Sequence, residues 1–230
     1  NHHYFIILIA MLLLILVIFL WHKKKSFKPA LILIPFILMF FLIRDNSEKI
    51  VMMDVGQGDC LLIQSKQACI LIDGGSSSEK QVGKYRIRPF LKYSGINKID
   101  AVFISHDDED HYNGIMELLQ NQIKWSLNIP FLVMPNVESK SEELVNIQKA
   151  AEQHGTKVIW MKQGDIYKKD FLLRCLSPVV DISYIDKNEY SLVMHLQMGQ
   201  FDMLFTGDMT ERTEKNIIEN IEECEVLKVS

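Results

Sequence analysis

The apolar run Ala101-Val102-Phe103-Ile104 ends abruptly in Ser105-His106-Asp107-Asp108-Glu109-Asp110-His111, and few folds can accommodate that junction. Two imidazoles and four carboxylates crowd into the stretch 106–111. Like charges this close repel one another unless positive charge lies among them, and one or two bound cations are the economical explanation. An acidic surface turn is the plainer alternative. Histidines at both ends, a strand before the motif and Gly114 opening a helix after it favour a metal site.

Charge divides the chain into two parts. Residues 1–44 contain no Asp or Glu and five basic residues, Lys23, Lys24, Lys25, Lys28 and Arg44. That leaves 20 basic against 29 acidic residues in 45–230, a net of −9. The second part, about 185 residues, is long enough for a substantial core. Tyr4 to Trp21 is an unbroken apolar run of 18 residues, close to the roughly 20 that span a bilayer as a helix. A second, shorter run covers 29–43 with Pro35 in its middle. Both are predicted to be transmembrane helices. A signal peptide fits the first less well, because it lacks a basic leading segment and a small-residue cleavage site. The basic loop from Trp21 to Lys28 places the connection in the cytoplasm by the positive-inside rule, and residues 45–230 on the outer face.

The order of elements predicted for 45–230 is mixed α/β. Strands are expected at 50–55, 60–64, 69–72, 99–104, 157–161, 171–176, 191–198 and 201–205, and over the final residues. Helices are expected near 83–95, from Gly114 to Gln120, at 140–154 and at 210–221. Ser139-x-x-Glu142 fits a capping box for the third of these and Gly155 its stop. Strands followed by interleaved helices imply two sheets covered by helices. Cys60, Cys69, Cys175 and Cys224 show no C-x-x-C spacing, so a structural zinc is not indicated and singly buried thiols are expected. The chain starts without Met and stops within an apparent strand, as a fragment would.

His106, Asp108, Asp110 and His111 are the candidate ligands for a borderline or hard divalent ion such as Zn²⁺, Mn²⁺ or Fe²⁺. Asp208 follows the apolar strand 201–205, where a carboxylate is costly unless it caps a helix or binds metal. Asp73, before Gly74 and Gly75, reads as a hydrogen-bonding support for a ligand or as a turn residue. His154 and His195 are not expected to be ligands. Lys80, Lys84, Arg86, Arg88 and Lys92 make either a patch for a polyanion or a solvated helix face.

Asp73-Gly74-Gly75, His106-x-Asp108-x-Asp110-His111 and Thr206-Gly207-Asp208 are similar to the successive metal-site motifs of the metallo-β-lactamase superfamily. With Asp54-Val55-Gly56-Gln57-Gly58-Asp59, Val82-Gly83-Lys84-Tyr85, Pro89-Phe90-Leu91 and Asn188-Glu189-Tyr190-Ser191-Leu192-Val193, they resemble the C-terminal domain of ComEC-type DNA-internalisation competence proteins. The resemblance runs from about residue 50 to the end. It implies an αββα sandwich, truncated at its C-terminus, behind two transmembrane helices of a multi-pass bacterial membrane protein. It also implies one or two divalent ions, Zn or Mn, held by His106, Asp108, Asp110, His111 and the bridging Asp208. Asp108 stands where most of the superfamily has histidine and favours the harder ion. Asp110 or Asp59 is implied as the group orienting the attacking water or taking its proton. The implied role is phosphodiester hydrolysis in a DNA-uptake channel, with DNA, the membrane and the rest of the channel as partners. A same-fold hydrolase of a phospholipid or nucleotide, or a non-catalytic module that guides DNA, are the alternatives. The family usually continues past the last strand with a His-His-Gly-Ser stretch, and Cys60 stands where serine is commoner.

Overall fold

Successive residues of a strand point to opposite faces, and in this chain both faces are apolar. Leu61 and Ile63, Ile70 and Ile72, and Ala101 and Phe103 enter one core, while Leu62, Leu71 and Val102 enter another. Strands buried on both sides require covering layers on both sides. The computed structural model describes residues 11–16, 18, 19, 22, 23, 47–179 and 182–229. The chain divides into two compact units, residues 1–46 and residues 47–230.

In the larger unit the first sheet holds six strands in sequence order: β1 (Lys49–Met52), β2 (Leu61–Gln64), β3 (Cys69–Ile72), β4 (Ala101–Phe103), β5 (Phe131–Pro135) and β6 (Lys157–Met161). β1 to β3 pair antiparallel and β3 to β6 parallel. The second sheet runs β11 (Val226–Lys228), β10 (Phe201–Phe205), β9 (Val193–Met198), β8 (Leu172–Ser177), β7 (Ile166–Lys168). It is antiparallel except for the parallel pair β10 and β11. The inter-sheet core joins Ile63, Ile72 and Phe103 to Leu173, Met194, Leu196 and Phe205.

A π-helical turn, Gly83–Ile87, runs into α1 (Arg88–Tyr93) and packs with α2 (Glu109–Gln120) and α4 (Glu142–Gln153) beside the first sheet. A short α3 (Gln122–Trp125) lies between α2 and β5. Ile217 of α5 (Glu211–Ile217) packs with Leu176, Val193 and Leu204 on the outer face of the second. The layers are therefore α, β, β, α, as the resemblance implies.

Of the boundaries that differ from the sequence reading, three have a clear physical reason. α2 starts at Glu109, not Gly114, because Asp108 is an extended N-cap residue and the carboxylates of Glu109 and Asp110 suit a helix N-terminus. α4 is capped by Ser141, whose hydroxyl accepts from Leu144 N at 3.0 Å, not by Ser139. The helix expected to 221 ends at Ile217 and tightens into a 3₁₀ turn.

In the smaller unit, residues 11–16, 18, 19, 22 and 23 are helical. Among the described residues no helix is long and apolar enough to cross a membrane. The rest of the first predicted span and all of the second, 29–43, lie outside the described residues.

Candidate metal centre

The site is assembled where β3, β4 and β10 end. The β4 strand stops at Phe103, and Asp73 N, just past β3, donates to Phe103 O at 2.8 Å. Asp73 itself adopts φ +54°, a left-handed conformation that a non-glycine residue holds at a cost. The twist aims its carboxylate at two targets. One oxygen accepts from Ser105 N at 2.7 Å, and the other lies 3.1 Å from His111 Nδ1. The two glycines after it let the chains close up: a Cβ on Gly75 would stand 2.3 Å from the Asp110 carbonyl carbon. Gly74 N donates to His111 O at 2.8 Å, locking the first turn of α2 against the β3 loop.

Around that anchor the side chains converge. The His106 and His111 rings are 4.2 Å apart between centroids. His111 Nε2 lies 3.5 Å from Asp208 Oδ1, brought in by the Thr206-Gly207 turn after β10. His106, His111 and Asp208 place ligand atoms within 4.8 Å of one another, and so do Asp59, Asp73 and His111. The two groups share His111. Both histidines are fully buried, while Asp59 and Asp208 are partly open.

The donor chemistry fits a divalent ion. Imidazole nitrogens and carboxylate oxygens gather from both halves of the domain, and the buried His111 ring has a carboxylate hydrogen-bonded to its far nitrogen, as metal-ligating histidines usually do. Burial opposes charge on His111, but hydrogen bonds and Coulomb attraction from Asp208 and Asp73 outweigh it and push the imidazole up to about 10. Burial, then the neighbouring His111, lowers His106. Asp208 is lowered by its hydrogen bond to His111, against the opposing effect of burial.

Without a cation from solution, then, His111 carries the compensating charge. Its folded value lies above the ordinary 6.5, so its contribution to metal-free stability is complete below pH 6.5 and is lost as pH rises through about 10. A metal ligand must be neutral. Adding Mn²⁺ or Zn²⁺ to the metal-free protein at pH 7.5 is expected to release about one proton from His111. Calorimetric titrations in two buffers of different ionisation enthalpy measure that number directly.

Asp108 lies beside His106. One of its oxygens lies 3.1 Å from His106 Nε2 and the other is paired with Lys187 Nζ. Asp110 sits partly buried in the first turn of α2, and its carbonyl accepts from Asp59 N at 3.3 Å. Neither joins the two convergent groups among the described residues. The Asp59 carboxylate is paired with Lys228 Nζ. His154 ends α4, and His195 lies on β9, 3.6 Å from Asp202.

Several partners escape a reading of the sequence. Asp107 is buried and accepts short hydrogen bonds from Tyr190 Oη and Ser141 Oγ, both at 2.5 Å. Tyr190 belongs to the Asn188–Val193 motif, and its hydroxyl is the one signal that points to this role. Ser105 Oγ contacts His106 Nδ1 at 3.0 Å and His111 Nδ1 at 3.3 Å, and Ser105 O accepts from Leu192 N at 2.8 Å. Lys187 and Lys228 have no local signal. The four cysteines are free, with Cys60 and Cys175 buried. Burial, reinforced for Cys60 by Asp73 and Asp59, holds both thiols protonated.

Residues 53–124 match the metallo-β-lactamase superfamily. The chain is 31% identical to ComE operon protein 3 of Bacillus subtilis, over 84% of this chain and 26% of that protein. It is 27% identical to Recombination protein 2 of Haemophilus influenzae, over 84% and 22%. It thus spans about a quarter of the curated relatives it matches. Among solved structures it is similar to the metallo-β-lactamase fold protein YhfI of Bacillus subtilis, with a TM-score of 0.52, 19% identity, and coverage of 78% of this chain and 70% of that one. CmlA, a diiron β-hydroxylase of Streptomyces venezuelae, aligns with a TM-score of 0.51 and 16% identity over 79% and 34%. At these identities the structures establish the fold alone.

Proposed function

Because the chain belongs to the metallo-β-lactamase superfamily, with ComEC-type competence proteins as its relatives, we propose that it is a metal-dependent hydrolase of a DNA-uptake channel, cutting phosphodiester bonds of incoming DNA. The observation that carries this reading is the convergence of His106, His111 and Asp208 from the two sheets onto one point. His106, His111 and Asp208 are the proposed ligands, with Asp108 and Asp110 completing the set once a divalent ion takes over the charge balance of the loop. When bound, such ions polarise water and neutralise the phosphoryl oxygens.

The chain's own groups do the rest. Asp73 fixes the His111 ring through Nδ1, so that Nε2 faces Asp208. Asp110 or Asp59 orients the water and accepts its proton. Lys228 holds the Asp59 carboxylate in place. The apolar runs in residues 1–44 are proposed to anchor the chain as two membrane-spanning helices, with residues 45–230 on the outer face.

A second reading has one observation in its favour. Lys187 and Lys228 already neutralise Asp108 and Asp59, as a non-catalytic DNA-guiding module with no cation would need. Incubating the chain with linear DNA and Mn²⁺, Zn²⁺ or a chelator separates the two. Cutting that needs the metal is expected. A protein that binds metal and leaves DNA intact points to another phosphodiester, and one that binds DNA but no metal is the guiding module.

A further inference from the structure

We infer that the ridge formed by the π-helical turn and α1 is the track on which single-stranded DNA lies as it approaches the site, a surface that rests on the nuclease reading and extends it from the centre to its substrate. From Lys80 to Tyr93 the chain carries five basic residues and no carboxylate, although the rest of 45–230 is strongly acidic. Neighbouring segments bring two carboxylates to the run, Glu79 to Arg86 and Glu117 to the Lys84 backbone.

The structure turns the run into a surface. Lys80, Lys84, Arg86 and Lys92 are exposed, and the tyrosines between them stand out of the protein, Tyr85 by 60% and Tyr93 by 89%. An exposed tyrosine ring offers a face on which a nucleobase can stack. Alternating cations and aromatic rings are what a sequence-tolerant single-strand surface needs, phosphates to the ammonium groups and bases to the rings. Lys84 Nζ lies 4.6 Å above the Tyr85 ring, so the two elements are already interleaved.

The ridge is also fixed to the site. Gly83 packs so closely on α2 that an added Cβ would meet Gly114 O at 2.5 Å, and Lys84 N donates to Glu117 at 3.0 Å. α2 is the helix whose first turn carries His111. Beside the ridge lies a polar hollow of about 360 Å³, lined by Ser76, Ser77, Lys80, Asn113 and the carboxylates Glu109 and Glu117 among others. Glu79 also lines it and is already paired with Arg86 at 3.0 Å. Arg88 is turned inward, its Nη2 donating to Trp125 O at 2.5 Å, and anchors the ridge to α3.

The test is binding of a fluorescent single-stranded 30-mer to the full chain in detergent, with chelator present so that nothing is cut. Replacing Lys84, Arg86 and Lys92 together by glutamine is expected to weaken binding at least tenfold and to flatten the salt dependence by about two log units per log unit of salt. Tyr85→Ala with Tyr93→Ala is expected to weaken it about five- to tenfold or more while leaving the salt slope unchanged. Hydrolysis of bis(p-nitrophenyl) phosphate with Mn²⁺, which needs only the centre, should be unaffected in both variants and shows that they are folded. Variants that bind the 30-mer within twofold of the parent overturn the ridge and leave the hydrolase standing. Loss of the small-ester hydrolysis in the parent would count against the hydrolase and leave the ridge to be judged by binding alone.

Discussion

Asp208→Ala is expected to reduce metal-dependent hydrolysis by about a thousandfold or more, since it removes roughly 4 kcal/mol of charge stabilisation at the reacting centre. The side chain meets His111 Nε2 at 3.5 Å and lies within 4.8 Å of the ligand atoms of both histidines. Its backbone position, on the turn after β10, is set by strand pairing that the substitution leaves alone. The fold should therefore survive, with far-ultraviolet dichroism unchanged. Metal content after dialysis is the second readout, and it should fall together with activity. If turnover persists with full metal loading, the ligand set lies elsewhere in the acidic motif. Asp208→Asn, which keeps the shape and removes the charge, should fall between parent and alanine variant.

Lys228→Met is expected to destabilise the domain by about 3 kcal/mol or more, because breaking a buried ion pair strands the remaining charge. Lys228 is 6% exposed on β11, opposite Phe205, and its ammonium group pairs with Asp59 across the molecule. Its carbonyl is held by Thr206 Oγ1 at 2.8 Å, so the strand itself has independent support. Chemical denaturation should show a lower midpoint with an unchanged slope. The double variant with Asp59→Asn should recover much of the loss, since neither charge is then left alone. A double variant no better than the single one would mean that methionine disrupts β11 rather than the pair.

Much of this architecture is legible in the amino-acid order. The apolar runs that bury both faces of β2, β3, β9 and β10 are local, and they locate those strands closely. β5 escapes because Pro130 and Pro135 bracket Phe131-Leu132-Val133-Met134, and proline at a run's edges counts against a strand. β7 escapes because three residues, Ile166–Lys168, carry too little pattern. The motif around His106 announces a cation site because its charges are adjacent in sequence. The groups that complete it are far away in the chain: Tyr190 reaches Asp107 over 83 positions and Lys228 reaches Asp59 over 169. Such pairs are set by the docking of two sheets, and no local window contains them. The acidic run also has two meanings at once. Glu109 and Asp110 favour a helix N-terminus, while His106 and His111 converge with Asp208, and no local pattern tells the two groups apart.

The same long separation has a consequence for synthesis. A growing polypeptide delivers its N-terminal portion first, so Asp59 leaves the ribosome long before the lysine of β11 that pairs with it. Asp59 waits for 169 further positions before its ammonium partner emerges. A nascent chain halted before β11 thus holds the Asp59 carboxylate without the Lys228 ammonium that pairs with it. The last strand of the second sheet delivers the partner of a carboxylate that lies beside the first.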